Sequence, residues 1–157
     1  MGMGDLFLAA LALAVGLVLS WRSDPSARLL VFGSAVIISA LLFLPGEQIT
    51  GAIGREAVAV LGRLAGRTPW GISDWTHFLV FAWLGFLLWL ARADLRGWKA
   101  WALVIGLAVA AELAQGLAPG RSPRVDDVLL NLAGGMLGII VAVGGRAVTR
   151  VRADKRR

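Results

Sequence analysis

The chain has 157 residues, 58% of them hydrophobic and only 17% charged, and a mean hydropathy of +0.76. A soluble domain would carry about 25% charged residues, so the composition argues for one compact membrane domain with no room for a second. The absence of cysteine excludes disulfides, thiol catalysis and thiolate metal sites, and the net charge of +6 sits between apolar runs and at the C-terminus, a pattern of membrane topology rather than of nucleic-acid binding.

Met1-Gly2-Met3-Gly4-Asp5 lacks a basic run, and no clear small-residue cleavage site follows. The first apolar stretch, residues 6–21, is therefore expected to stay as a helix. Four further apolar stretches follow at 29–44, 75–91, 100–117 and 128–144. As helices they would each span roughly 24–27 Å at 1.5 Å per residue, slightly short of a ~30 Å hydrocarbon core. Pro25, Pro45, Pro69, Pro119 and Pro123 all fall between them, where helix breaks are expected. Six tryptophans lie at segment ends, as an interfacial belt requires, and only Trp83 is mid-span. Between the second and third stretches, Ile49, Ile53, Ala57, Val60, Leu61 and Leu64 recur at helical spacing. An interfacial helix over 47–67 is expected, with four glycines weakening it. The fold class is thus an all-α polytopic transmembrane bundle of five spans plus one interfacial helix.

Alternation of five spans divides the 16 basic residues into eleven on the side of the C-terminus and five on the other. The positive-inside rule then predicts N-out and C-in.

Polar residues gather at one membrane side. Asp74 and His77 open the third stretch, Glu112 and Gln115 close the fourth, Arg121 lies in the loop beyond, and Asp126, Asp127 and Asn131 open the fifth. The pairs Asp74/His77 and Glu112/Gln115 are three apart, and Asp127/Asn131 four apart, so each pair shares a helix face. Gly134 and Gly138, joined by Gly135, form a small-xxx-small pattern that permits close packing of the last helix.

These motifs in order, Asp74-x-x-His77-Phe78, Glu112-x-x-Gln115, Pro119-Gly120-Arg121-Ser122 and Asp126-Asp127-x-x-x-Asn131 followed by Gly134-Gly135-x-x-Gly138, resemble the VanZ-like membrane protein family. Leu42-Phe43-Leu44-Pro45 also looks like the end of that family's first core helix. Trp75 departs from the basic residue the family often has after the aspartate. The resemblance divides the chain into an additional helix and loop at 1–28, a four-helix core at 29–145 and a basic cytoplasmic tail at 146–157. It implies a role in the bacterial cell envelope, of the kind associated with reduced susceptibility to the glycopeptide teicoplanin, and supplies no established reaction.

Two functions follow as expectations. In the first, the polar residues bind a lipid headgroup, a cell-wall lipid intermediate or a glycopeptide. Arg121 holds an anionic group through its planar fork, while Asp74, Gln115, Asp126 and Asn131 orient the ligand. In the second, the protein is an enzyme of lipid- or glycan-linked phosphate chemistry. His77 then acts as base or nucleophile, oriented by Asp74 or Asp127, and Glu112 acts as acid. Each residue also has a structural role open to it. Ser73, Asp74, Asp126 or Asp127 would cap helices, and Glu112 would pair with Arg121, Gln115 or Asn131. Asp74, Glu112 and Asp127 offer oxygen ligands to a hard cation, but one histidine without cysteine disfavours zinc. No cofactor, metal or nucleic-acid partner is expected. Membrane lipids are the expected partners, and the expected location is the bacterial cytoplasmic membrane.

Overall fold

The computed structural model describes residues 3–43, 50–51, 54–117 and 123–154, and among these there is no β-strand. Six α-helices follow in order: α1 (Met3–Ser20), α2 (Pro25–Phe43), α3 (Arg55–Ala65), α4 (Ile72–Ala91), α5 (Trp98–Gln115) and α6 (Val125–Asp154). The expected all-α bundle is observed. Of the five expected spans, α4, α5 and the Val125–Val148 part of α6 are long and apolar enough to cross a membrane, and α2 contributes a shorter apolar stretch, Pro25–Leu41.

Pro69 and Pro123 fall between helices as expected, while Pro45 and Pro119 lie outside the described residues. Pro25 is the first residue of α2 rather than part of the loop before it. Proline suits that position because its missing N–H would be unpaired there anyway. The Asp24 carbonyl accepts the first helical bonds, from Ala27 and Arg28 at 2.9 and 2.8 Å. Gly97, at φ +81°, makes the left-handed turn into α5 that an L side chain would resist.

α6 runs to Asp154, well beyond the expected end at 144. Thirty residues give a rod of ~45 Å, longer than the hydrocarbon core. Hydropathy falls where a helix leaves lipid, but Arg and Ala are good helix formers, so the helix need not end there.

α3 occupies only part of the expected 47–67 interval. Residues 44–49 and 52–53, including Ile49 and Ile53, lie outside the described residues. Its Ala65 is buried, whereas Val60, Leu61 and Leu64 are exposed along one side. Thr68 Oγ1 anchors the turn into α4, donating to the Ala65 carbonyl at 2.8 Å and accepting from Trp75 Nε1 at 3.0 Å. Trp70, Trp75 and Phe78 cluster there, with ring centroids 4.9–6.0 Å apart.

α4 is the central helix, packing against α2, α3, α5 and α6, while α1 packs on α2. The main core joins Leu19, Val31 and Ile38 to Val80, Phe81, Leu84, Leu88 and Ala108. Trp83, the mid-span tryptophan, donates from Nε1 to Ser34 Oγ on α2 at 3.0 Å, which satisfies its one polar atom inside the bundle.

The most extensive contact is between α4 and α6, and glycine makes it possible. A Cβ on Gly134 would collide with the Phe78 carbonyl, one on Gly138 with the Ala82 carbonyl, and one on Gly85 with the Gly135 carbonyl. A Cβ on Gly135 would also strike Val104 of α5, so the three helices meet around this patch. Without a hydrophobic drive inside lipid, close backbone approach of this kind supplies association through dispersion contacts.

The far end of the bundle is closed by arginines. Arg92, 6% exposed, donates to the Leu19 and Val18 carbonyls at the end of α1 (2.6 and 3.3 Å) and forks onto Asp94 with two 2.8 Å bonds. Arg96 donates to the Trp89 and Leu90 carbonyls near the end of α4, and Arg28 to the Trp21 carbonyl. Guanidinium groups thus supply donors to helix C-terminal carbonyls and complement the negative end of the dipole. The hydrogen bond from Arg92 holds the Asp94 carboxyl down at about 2. A folded-state value below the ordinary 3.8 means that the pair contributes stability above that pH and loses it as pH falls through about 2.

Replacing Gly138 by Leu should destabilise the protein in detergent by ~3 kcal/mol or more, the upper end of overpacking costs, because the obstacle is backbone. Gly144→Ala, where a Cβ meets nothing within 4 Å, should be neutral or stabilising. Thermal unfolding of both variants checks this, and equal melting temperatures would contradict the contact.

Candidate functional site

The buried face of α5 reads Ala100, Val104, Ala108, Glu112 and Gln115. It is apolar for three turns and polar in the last. The inner face of α6 carries Asp127, Asn131, Gly134, Gly138 and Ala142, polar in its first turns and then small. α4 begins its buried face with His77 and continues through Val80, Phe81 and Leu84. Antiparallel order places these three polar ends at the same end of the bundle.

Five of the eight anticipated residues are at least nine-tenths buried there: His77 (3% exposed), Glu112 (3%), Gln115 (3%), Asp127 (6%) and Asn131 (0%). His77 Nδ1 lies 3.1 Å from Asn131 Oδ1. An amide oxygen only accepts, so in this arrangement Nδ1 carries a proton and donates it to Asn131. The bond sits next to the glycine contact, since His77 precedes Phe78 and Asn131 is one turn before Gly134.

Glu112 Oε1 accepts a 2.5 Å hydrogen bond from the backbone N–H of Arg124, the residue before α6. The carboxylate therefore occupies the positive end of that helix and satisfies one of its free N–H groups. In many helices the third residue reaches back to that donor. Here the third residue is Asp127, and the donor is already taken by Glu112 from another helix. Asp127 remains buried with its Oδ1 unpartnered, and Glu112 Oε2 and Asn131 Nδ2 likewise have no hydrogen-bond partner. Buried polar atoms are nearly always paired, so three at this end of α5 and α6 require a reason. Ser23 Oγ, also buried without a partner, lies at the arginine end.

The other three residues are placed differently. Asp74 is only partly buried, and its Oδ2 accepts from the Gly71 N–H at 2.9 Å. Gly71 is the N-cap and Asp74 the third residue of α4, so the cap falls two residues before Ser73. Asp126 points outward and pairs with the exposed Arg124 guanidinium at 3.5 Å. Arg121 lies outside the described residues. Among the described residues, no three His, Asp or Glu side chains stand close enough together to hold a metal ion.

The expected orienters of His77, Asp74 and Asp127, are not bonded to its ring; Asn131 is. The residue that sequence reasoning missed is Arg124, whose backbone N–H anchors Glu112. Backbone donors leave no signature in side-chain identity, and only the position of Arg124 just before the last helix hinted at it.

A second feature adjoins this end. An apolar crevice of about 120 Å³ runs between α1, α2, α4 and α5, lined by residues including Val15, Ile38, Phe81, Leu107, Ala111 and Ala114.

A family model described as VanZ/LLP1 matches residues 6–146, and so takes in α1 as well as the helices that carry the polar end. No curated protein and no solved structure gives a match.

The protein has a single histidine, so its imidazole spectrum has one source. Nitrogen NMR should show a proton on Nδ1. Asn131→Leu should abolish that preference and cost about 1–3 kcal/mol through the unpaired buried ring. An Nδ1 without a proton in the unmodified protein would contradict the assignment.

Proposed function

The chain belongs to the VanZ/LLP1 family, and from that premise we propose that it is a multi-pass protein of the bacterial cytoplasmic membrane that binds the headgroup of an amphiphile at its acid end. The proposed ligand is a lipid headgroup, a cell-wall lipid intermediate or a glycopeptide antibiotic, in an envelope accessory role of the teicoplanin-resistance type. The observation that carries this reading is the set of three unpartnered polar atoms on side chains at least nine-tenths buried: Glu112 Oε2, Asp127 Oδ1 and Asn131 Nδ2. Polar groups withdrawn from water cost several kcal/mol unless something pairs with them, and intramembrane ionisable residues point to function by default.

In the proposed arrangement α1 and α2 complete five spans, and α3 lies in the interface with Val60, Leu61 and Leu64 toward lipid. The N-terminus is outside, the C-terminus inside, and the acid end opens to the outer leaflet. Arg121 supplies the contact to an anionic group of the ligand, and Arg121→Lys should therefore rescue incompletely.

Acid–base catalysis by His77 and Glu112 has less support. The His77 ring pairs with a neutral amide rather than a carboxylate, and Asp74 is engaged at Gly71.

Glu112→Gln should weaken ligand affinity roughly tenfold or more, because hydrogen bonds to a charged group contribute about 1.5–3 kcal/mol. Teicoplanin tolerance conferred on a susceptible host, read beside membrane expression, checks the accessory role. Tolerance that is unchanged by both His77→Ala and Glu112→Gln would remove it, and turnover of a labelled lipid by the purified protein would favour the enzyme.

A reporter fused after Arg157 should be active on the cytoplasmic side. Activity outside would reverse the proposed orientation.

A further inference from the structure

The unpartnered atoms also carry information about the kind of headgroup. Two of the three, Glu112 Oε2 and Asp127 Oδ1, belong to carboxylates, which when ionised only accept hydrogen bonds. Among the described residues no cation is paired with either group. The guanidinium of Arg124, whose backbone serves Glu112, is turned outward to Asp126. Two carboxylates in one low-dielectric end favour a partner that brings both positive charge and N–H donors. A hydroxyl would bring donors without charge, and a quaternary ammonium charge without donors.

The apolar crevice supplies the other half of an amphiphile. Its α5 wall includes Ala111 and Ala114, in the same last turns of that helix as Glu112 and Gln115 of the polar end. From there it extends past Phe81 and Leu107 to Leu19, near the arginine end. Apolar cavities on the order of 150 Å³ stay dry and take up nonpolar guests, so hydrocarbon is the fitting occupant for this one at about 120 Å³. It is also only partly enclosed, so a chain could enter it.

We propose that the site selects a lipid with a primary ammonium headgroup, its N–H donors on Glu112 and Asp127 and part of one acyl chain in the crevice between α1 and α5. This rests on the headgroup-binding reading above and narrows it. The Asn131 amide, one turn deeper than Asp127, provides the single unpartnered donor and suits an oxygen of the same headgroup.

The test uses the full chain in detergent, titrated separately with dioleoyl phosphatidylethanolamine, phosphatidylcholine and phosphatidylglycerol. Retained lipid is read by native mass spectrometry and by thermal shift. The ethanolamine lipid should bind roughly tenfold more tightly than either of the others, the scale of one charge-assisted hydrogen bond. Glu112→Gln and Asp127→Asn should each flatten that preference. Ala111→Phe, with unchanged helical circular dichroism, should weaken all three lipids alike and leave their order intact. Because the comparison among lipids is made on the unaltered protein, it stands even if a variant fails to fold. Saturable binding with no headgroup preference would overturn the ammonium inference while leaving amphiphile binding in place. Phosphatidylglycerol at or above the ethanolamine lipid would overturn it in favour of hydroxyl donors. Free phosphoethanolamine matching the lipid would overturn the role of the crevice. No saturable binding of any lipid would remove the headgroup-binding reading itself.

Discussion

The close approach of α4 and α6 is the constraint on which the rest depends. Gly85, Gly134 and Gly138 let two backbones meet where any side chain would strike a carbonyl. The contact begins one residue after His77 and one turn after Asn131, so the spacing of the helices fixes the 3.1 Å separation of that pair. Hydrogen bonds weaken quickly beyond about 3.5 Å, and a methyl group between the helices would pull the pair past that limit. The same contact orients α6 so that Asp127 turns inward and Asp126 outward, although the two are adjacent in sequence.

The two ends of the bundle solve the same physical problem in opposite ways. At the arginine end the buried charge is paired, and among the described residues only the Ser23 hydroxyl is buried there without a partner. Arg92 satisfies two carbonyls of α1 and both oxygens of Asp94, and Arg96 caps the end of α4. Such an end stabilises the junction of helices and has little capacity left for a ligand. At the acid end, the pairing is incomplete. One Glu112 oxygen serves α6 while the other has no partner, and Asp127 is deprived of the donor that its position would ordinarily reach. Incomplete pairing in a buried place is energetically unfavourable for a fold alone. The contrast within one molecule is stronger evidence for a binding end than a count of polar residues, because both ends carry them.

Much of this was legible in the sequence, for identifiable reasons. Apolar runs, prolines and segment-end tryptophans respond directly to the bilayer, and they located α4 and α5 to within about one turn at each end. The i,i+3 and i,i+4 spacings correctly set Glu112 beside Gln115 and Asp127 beside Asn131 on buried faces. What escaped depends on geometry between segments. Asp74 reads as a potential ligand until its bond to the Gly71 N–H is seen. The partner of His77 is Asn131 rather than an aspartate, a choice made by the rotation of α6 about its axis. The arginines read as topology markers, and they turn out to cap helices as well. The helical extension of α6 to Asp154 was hidden because hydropathy reports where lipid ends, not where hydrogen bonding ends. The crevice could not be seen at all, since it arises where α1 leans on α2 and leaves a gap against α5.

These features bear jointly on binding against catalysis. A catalytic histidine of the familiar kind is oriented by a carboxylate, which stabilises the imidazolium formed in the reaction. The neutral amide of Asn131 can orient the ring but offers no charge to an imidazolium. The two carboxylates stand apart from it: one is tied to the start of α6, and the other lies a turn nearer that start than Asn131. One oxygen of each carboxyl group is therefore left without a partner, and the described contact of the His77 ring is with Asn131. The apolar crevice, whose α5 wall reaches the depth of Glu112, extends the same logic from headgroup to chain in the proposal. A buried polar end, together with an apolar crevice that reaches the same depth along α5, fits the proposed amphiphile more closely than it fits an acid–base pair closing on a scissile bond.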